Sequence, residues 1–573
     1  MSESVVDLGP RHWPAGEWDK YMRMQQDERA TAGSASGKHG AVSVAYNALA
    51  ARAGLEALKQ GGNAIDALMT TAMTQVALTA GAPISYFGIM SLVYFDAKTA
   101  TVHTMNAEWN TVLAETDPAS IPGKIDFSSQ AALKGSAVSG RTAMVGGFMK
   151  GVEAAHKRFG KLPFKSLFGP AIAVAEEGMP VNSVLAEQFE FRKDDLARLP
   201  ETKATFLKPD GSTYRQGEIF RQPAVAKTLK AVAEHGADYM YGGPWGEKLI
   251  AAVQADGGKM TLEDLRRYQV TWADPLVAPI GAGYTLKTAP WPNAGGVSII
   301  EAMNLADVSG LATGPHWSKS AKALVTAEQI TSQFAAVYLP AQMLGAIYPG
   351  MDFSPPARVT REHAVELWAR MQKGAALGRF KQKALNHSDD VVVIDAEGNM
   401  AAITQSINCV FWGKTAISID GVSIGDPASF QQGIMATVEP GDRLPAPTET
   451  GIVFKDEKPV LAFASMGAGL HHRTFQCLLN VTRYGMSVSE ALDAPDFYLP
   501  MSDPKTGEQT LTVPTGVFDH KLLEDTGLAY REVENKAARL AGIGEWVGIS
   551  RDPATGELHA ASPNRNNSAA VAF

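Results

Sequence analysis

The chain has 573 residues, 45% of them apolar and 20% charged, which is enough apolar material for a large core and excludes wholesale disorder. Its two cysteines, Cys409 and Cys477, exclude a disulfide scaffold and any all-cysteine zinc or iron–sulfur site. The net charge of -8, from 52 basic and 60 acidic residues, argues against a nucleic-acid-binding surface.

Residues 1–38 are polar and irregular and read as an arm lying on the body of the fold. They open with no basic stretch followed by an apolar one, so no secretory leader is recognised and a cytoplasmic location is expected. The first strong helix is Asn47 to Gln60, with Leu49, Ala53, Ala57 and Leu58 on one face and Arg52, Glu56 and Lys59 on the other. Gly61-Gly62 ends it by supplying positive φ. Asn63, with Asp66 three residues on, caps a second helix reaching to about Ala80. That stretch carries Asp66, Gln75 and several Thr, so it reads as a buried helix and not a membrane span.

A hairpin follows over 90–105, then helices at 147–159, 170–178 and 224–235, and a short one from 261 capped by Thr261 with Asp264. Residues 307–386 read as mostly helical. At about 390 the texture changes to hairpins, with strands at 390–395 and 400–406 and again at 452–454 and 460–464. Helices at about 470–484 and 488–492 and short final strands complete the chain. There is no βαβ rhythm and no internal repeat, so the pattern predicts a mixed, largely antiparallel sheet with helices on its faces.

Few motifs carry chemistry unaided. Gly421-Val-Ser-Ile-Gly425 has the form of a nucleophile elbow after a strand at 415–419, but Asp426-Pro427 follows where a helix must open. His471, His472 and His520 lie downstream, so chain order leaves a Ser423 triad open. Gly542–Gly548 reads as a loop, because it lies too near the C-terminus to open a dinucleotide-binding unit. The His471-His472 pair has no partner at metal-ligand spacing and reads as a helix entry or a solvated pair; His103 and His387 read as structural. No metal and no cofactor are called for. Ser388, in Asn386-His-Ser-Asp-Asp390, is by itself an ordinary turn residue before a strand.

Several longer stretches together resemble the γ-glutamyltranspeptidase family of N-terminal-nucleophile (Ntn) hydrolases over about 39–570. They include His39-Gly-Ala-Val-Ser43, Ala53-Gly-Leu-Glu-Ala-Leu-Lys-Gln-Gly-Gly-Asn-Ala-Ile-Asp66, Ala175-Glu-Glu-Gly-Met-Pro180 and Gly257-Gly-Lys-Met-Thr-Leu-Glu-Asp-Leu265. Ala289-Pro-Trp-Pro-Asn-Ala-Gly-Gly296, Val392-Val-Ile-Asp-Ala-Glu-Gly-Asn399 and Ser489-Glu-Ala-Leu-Asp-Ala-Pro495 add to them. The resemblance implies an α+β fold of the four-layer αββα type and a precursor that cleaves itself. In the family a Thr lies seven residues before the Asp of the strand and turn, and that count from Asp395 lands on Ser388. Ser388 is thereby implied as cleavage residue and nucleophile, dividing an arm (1–38), a large chain (39–387) and a small chain (388–573). A newly freed α-amine, with a pKa of about 7.7–8.0, would serve as the base.

The same correspondence places the family's supporting Thr on Ser406, its Asn on Asn408 and its oxyanion-hole Gly-Gly on Gly467-Ala468. The head-group positions have changed their chemistry. The Arg that grips the glutamyl carboxylate becomes Ala107, a Ser pair becomes Ala446-Pro447, and the Gln and Asp near the α-amine become Asp426 and Ser429. Each lost charge-assisted hydrogen bond is worth about 1.5–3 kcal/mol, so γ-glutamyl recognition is expected to be lost. Gln405-Ser-Ile407 looks more like the amidohydrolase and acylase branches, including oxamate-amidohydrolase-like members. A small-molecule amide is the implied substrate, hydrolysed or transferred through an acyl-enzyme on Ser388, with the two chains of one precursor as partners and a dimer left open. Two rivals stand: an esterase using Ser423, and a non-catalytic, uncleaved family member with a binding role, left so because Asp389 and Asp390 replace the usual residues after the nucleophile; two carboxylates there would also hold a freed amine charged.

Overall fold

The computed structural model describes residues 6–26, 33–122, 125–126, 130–339, 341–375, 377, 388–502, 509–534, 544–564 and 567–573. His387, Gly542 and most of 376–387 lie outside these residues.

Two seven-stranded antiparallel sheets face each other. One contains β1 (Gly33–Gly37), β6 (Leu276–Pro279), β7 (Tyr284–Thr288), β10 (Glu449–Lys455), β11 (Lys458–Met466), β12 (Glu545–Arg551) and β13 (Leu558–Ser562), in the order β1-β13-β12-β11-β10-β7-β6. The other contains β2 (Gly40–Val44), β3 (Ile89–Asp96), β4 (Thr101–Ala107), β5 (Thr271–Ala273), β8 (Ser388–Asp395), β9 (Met400–Ser406) and β14 (Ala569–Ala572), ordered β14-β2-β8-β9-β3-β4-β5. Strand side chains alternate, so each strand feeds two cores. Val392, Ile394, Ala402, Val93, Ala462 and Val547 fill the space between the sheets. Val391, Val393, Ile403 and Leu92 turn outward onto helices α2 (Ala48–Lys59), α3 (Ala64–Leu78), α4 (Phe148–Phe159) and α5 (Gly169–Glu177). On the far side, Leu461, Phe463 and Trp546 pack on α6 (Gly295–Val308), α7 (Ala321–Ser332), α8 (Arg361–Met371) and α9 (Leu470–Thr482). The result is the four-layer αββα sandwich.

The caps read from the sequence form as hydrogen-bonded units. Asn63 and Asp66 make a capping box at the start of α3, and Thr261 and Asp264 make another. At the close approach of α2 and α3, a side chain on Gly54 would collide with Thr71.

Four local readings change. Residues 33–37 are not part of an irregular arm, since β1 pairs along its length with β13. The polar face of α2 is not solvated: Arg52 and Glu56 are buried because α1 (Glu17–Met24) lies over them, with Glu17 2.5 Å from the Arg52 guanidinium. Residues 545–548 are strand rather than loop, paired with β11. Helix α6 was not legible, because it is buried nearly all round, Ser298, Glu301 and Asn304 included, and so lacks the exposed polar face that marks an amphipathic helix.

Candidate active site

The hairpin β8–β9 sets the geometry. Asp395 accepts from the Asn399 backbone N–H at 2.9 Å and its side-chain amide at 2.8 Å, and from the Ala64 N–H at the head of α3 at 2.9 Å. Gly398 has φ +86°, the turn position that glycine suits. This lock fixes the register, and counting outward from it pairs Ser388 with Ser406 at the open end. There the Ser388 hydroxyl donates to Ser406 Oγ at 3.0 Å, and Ser406 Oγ accepts the Asn408 N–H at 2.7 Å. Asn408 is half-buried with φ +47°, a left-handed conformation that Asn tolerates. The structure therefore brings Ser388, Ser406 and Asn408 together.

Gly467 and Ala468 leave the end of β11. Thr404 Oγ1, one inward-facing position before Ser406, lies 3.0 Å from Asp390 Oδ1 and donates to the Ser465 carbonyl at 3.1 Å. That bond ties the end of β11 to the β8–β9 hairpin. Gly467 has φ +85°, whereas Ala468 is not at positive φ, so alanine stands at the position of the two that accepts a side chain.

The charges beside Ser388 differ from the sequence expectation. Asp389 and Asp390 are both fully buried, and burial pushes both carboxyls well above their ordinary range. For Asp390, the neighbouring Asp389, Glu545 and Glu449 push the same way. Both acids therefore favour the neutral form and would hold a nearby amine charged far less than two ionised carboxylates.

The head-group positions offer no charged group set to grip a glutamyl head. Ala107 faces outward, packed against Gly151 of α4, on the opposite side of the sheet from Ser388. Asp426 is buried and accepts the Thr415 N–H at 2.7 Å, so its carboxylate serves the backbone. Ser429 is buried beneath the turn 427–429, its carbonyl taking the Ile125 N–H at 2.8 Å. Ala446 is buried and pairs with Asn293.

Ser423 is not an elbow. It lies in a two-residue strand leading into a 3-10 turn, and its buried hydroxyl donates to the Gly81 carbonyl at 2.5 Å. His471 and His472 are not solvated; both are buried in the first turn of α9. His471 Nδ1 meets Glu449, and burial with His471 alongside drives His472 down to about 3.

A polar cluster near the end of β4 had no sequence signal beyond its residue types. Asn293 Nδ2 donates to Thr448 Oγ1 at 2.6 Å and to Ser91 Oγ at 3.2 Å, and Asn106 donates to Asn293 Oδ1 at 2.7 Å. Glu108, against Thr448 and Asn293, is pushed up by burial to about 7. The Arg443 guanidinium beside it is spent on the Asn106, Glu108 and Gln269 carbonyls and on Tyr268. No helix among the described residues is long and apolar enough to cross a membrane.

With this geometry in hand, comparison with known proteins is informative. The family model described as gamma-glutamyltranspeptidase matches residues 50–573. The chain is 28% identical over 487 residues to the glutathione hydrolase proenzyme of Bacillus subtilis (strain 168), covering 81% of each. It is also 28% identical over 476 residues to the acylase ACY 1 proenzyme of Pseudomonas sp. (strain SE83), covering 80% of this chain and 82% of that one. The crystal structure of cephalosporin acylase from Bacillus halodurans superposes with a TM-score of 0.75 at 23% identity, over 96% of this chain and 98% of that one, a likeness of fold.

Proposed function

This chain belongs to the gamma-glutamyltranspeptidase family, and from that premise we propose that it is a self-processing Ntn amide hydrolase or acyltransferase whose nucleophile is Ser388. The observation that carries the reading is the 3.0 Å bond from the Ser388 hydroxyl to Ser406, at the strand end where β8 begins. The relatives named as proenzymes support a processed precursor.

In the processing step, Ser388 Oγ adds to the carbonyl carbon of His387. The His387–Ser388 peptide bond breaks as the nitrogen takes the hydroxyl proton, leaving an ester. Water cleaves that ester, giving a His387 carboxylate and a free α-amine on Ser388. In turnover, the neutral amine takes the Oγ proton while Oγ adds to the substrate carbonyl. Ser406 orients Oγ, and the N–H groups of Gly467 and Ala468 receive the oxyanion. The proton passes to the departing amine, and water or a second amine releases the acyl group. Burial, which pushes the Asp389 and Asp390 carboxyls up, lessens their pull on the amine, a group whose ordinary pKa is about 7.7–8.0.

The acyl group lacks the free amino-acid head of a γ-glutamyl donor. Ala107 turns away, Asp426 is bonded to the backbone and Ala446-Pro447 carry no hydroxyl. Intact mass of wild type beside Ser388→Ala tests the processing. Chains of 387 and 186 residues in wild type and one whole chain in the variant are expected; a whole chain in both overturns the proposal. Glutaryl and γ-glutamyl p-nitroanilides then test specificity, with turnover of the first alone expected and preference for the second overturning the head-group reading.

A further inference from the structure

Helix α3 is buried along its whole length. Its Thr71 and Thr74 return their hydroxyls to their own helix, donating to the Ala67 carbonyl at 2.8 Å and the Thr70 carbonyl at 2.7 Å. Gln75, fully buried, reaches out of the helix instead. Its Nε2 donates to the Tyr46 carbonyl at 3.2 Å and to the Asp390 carbonyl at 3.3 Å. A buried amide costs free energy unless such bonds offset it, so the groups it reaches are informative.

The two carbonyls lie where strand pairing runs out. β8 pairs with β9 as far as Ser388 opposite Ser406, but with β2 only as far as Val391 opposite Val44. Asp390 is the next residue of β8 toward Ser388, and Tyr46 lies two residues past Val44 on the chain leaving β2. The two hydrogens of one side-chain NH2 thus serve one carbonyl on each. The Asp390 N–H is likewise taken by a side chain, Asp389 Oδ1 at 2.9 Å. Gln75 is aimed from β9: Gln405 Nε2 donates to Gln75 Oε1 at 2.7 Å, which leaves the NH2 end toward the carbonyls. Gln405 is itself fully buried, stands opposite Asp389 and immediately precedes Ser406. The bonds therefore run from one strand of the hairpin to the other through α3, within two residues of both Ser388 and Ser406.

We propose that Gln75 is a positioning residue for the nucleophile: aimed by Gln405, it joins the Asp390 carbonyl of β8 to the Tyr46 carbonyl and so holds Ser388 Oγ against Ser406 on the side that β2 leaves open. This rests on the proposed role of Ser388. Cleavage would make Ser388 a chain end with strand pairing on the β9 side alone, and the Gln75 bonds secure the other edge two residues away. The uncleaved chain needs the same placement to bring Oγ to the His387 carbonyl, so Gln75 serves processing and turnover alike.

Three variants test it. Gln75→Met keeps the side chain's length but removes both ends of the amide, and Gln405→Met removes the donor that aims it. Thr74→Val alters the same helix one residue away, where the hydroxyl is bonded to the helix itself. Self-processing is followed by intact mass after synthesis, and turnover with p-nitrophenyl acetate, with kcat counted per processed chain. Gln75→Met is expected to slow both processing and kcat about tenfold with KM within about twofold, the size of a lost hydrogen bond. Gln405→Met is expected to slow both about threefold, and Thr74→Val to behave as wild type. Wild-type processing and kcat in a folded Gln75→Met overturn the inference, as does an equal loss in Thr74→Val or a raised KM with kcat unchanged. Should Gln75→Met not fold, Gln405→Met decides by the same two rates: slowed rates support the inference and wild-type rates overturn it. A wild type that remains whole and inert overturns the role of Ser388 first, and this inference with it.

Discussion

The hairpin 388–406 and the segment 426–447 differ in what their polar side chains are bonded to. In the hairpin, hydroxyl meets hydroxyl: Ser388 donates to Ser406, half-buried, at the end of a strand. In the segment, one Asp426 oxygen accepts the Thr415 N–H and Arg443 donates to three carbonyls as well as to the Asn106 and Tyr268 side chains. A side chain already engaged by its own backbone gains little by turning to a ligand, since the exchange leaves a buried partner unsatisfied. On the proposed reading, the comparison teaches that reaction and recognition would be built separately: the hairpin end holds two hydroxyl groups on one another, while the head-group positions hold no charged group free for a glutamyl head.

The largest expected effect breaks that contrast at its reacting side. Ser388→Ala is expected to abolish processing and turnover together, read by intact mass and by amine release from an amide. Ser406→Ala is expected to lower kcat about tenfold to a hundredfold in steady-state kinetics, because the nucleophile loses its bond and the Asn408 N–H its acceptor. Gly467→Ala forces a side chain into φ +85° and is expected to cost about 1–2 kcal/mol in chemical denaturation. Ala468→Gly is expected to leave activity within a few-fold.

Glu108 sharpens the contrast through pH. Its folded-state pKa of about 7 lies above the ordinary 4.5, so the folded protein binds the proton more tightly. This stabilisation is fully present below the ordinary value and is lost as pH rises toward and through about 7. Glu108→Gln is therefore expected to flatten the fall in thermal midpoint between about pH 5 and 8. The smallest effect on turnover belongs to Ser423→Ala, which removes a hydroxyl bonded only to the Gly81 carbonyl and is expected to leave kcat unchanged.

Much of this was legible from sequence because its causes are local. The β8–β9 hairpin follows from two short unbroken apolar runs joined by Asp395-Ala-Glu-Gly-Asn399, and the α3 cap follows from two side chains three residues apart. The four-layer architecture and the placement of Ser388 came from resemblance, and the structure then set Ser406 opposite Ser388 through the hairpin register. The weakness of the Ser423 pattern was legible too, since its meaning depends on a helix that Asp426-Pro427 prevents, and a 3-10 turn follows instead.

By itself, then, the sequence determined the hairpins and the caps, which depend on neighbours within a few residues, while Ser388 was singled out by resemblance to a family. Tertiary structure alone decided that Ala107 faces the helices and that burial pushes the Asp389 and Asp390 carboxyls well above their ordinary range. Burial, the direction a side chain faces and a carboxyl's proton are sums over neighbours brought from hundreds of residues away, and no local pattern carries those sums.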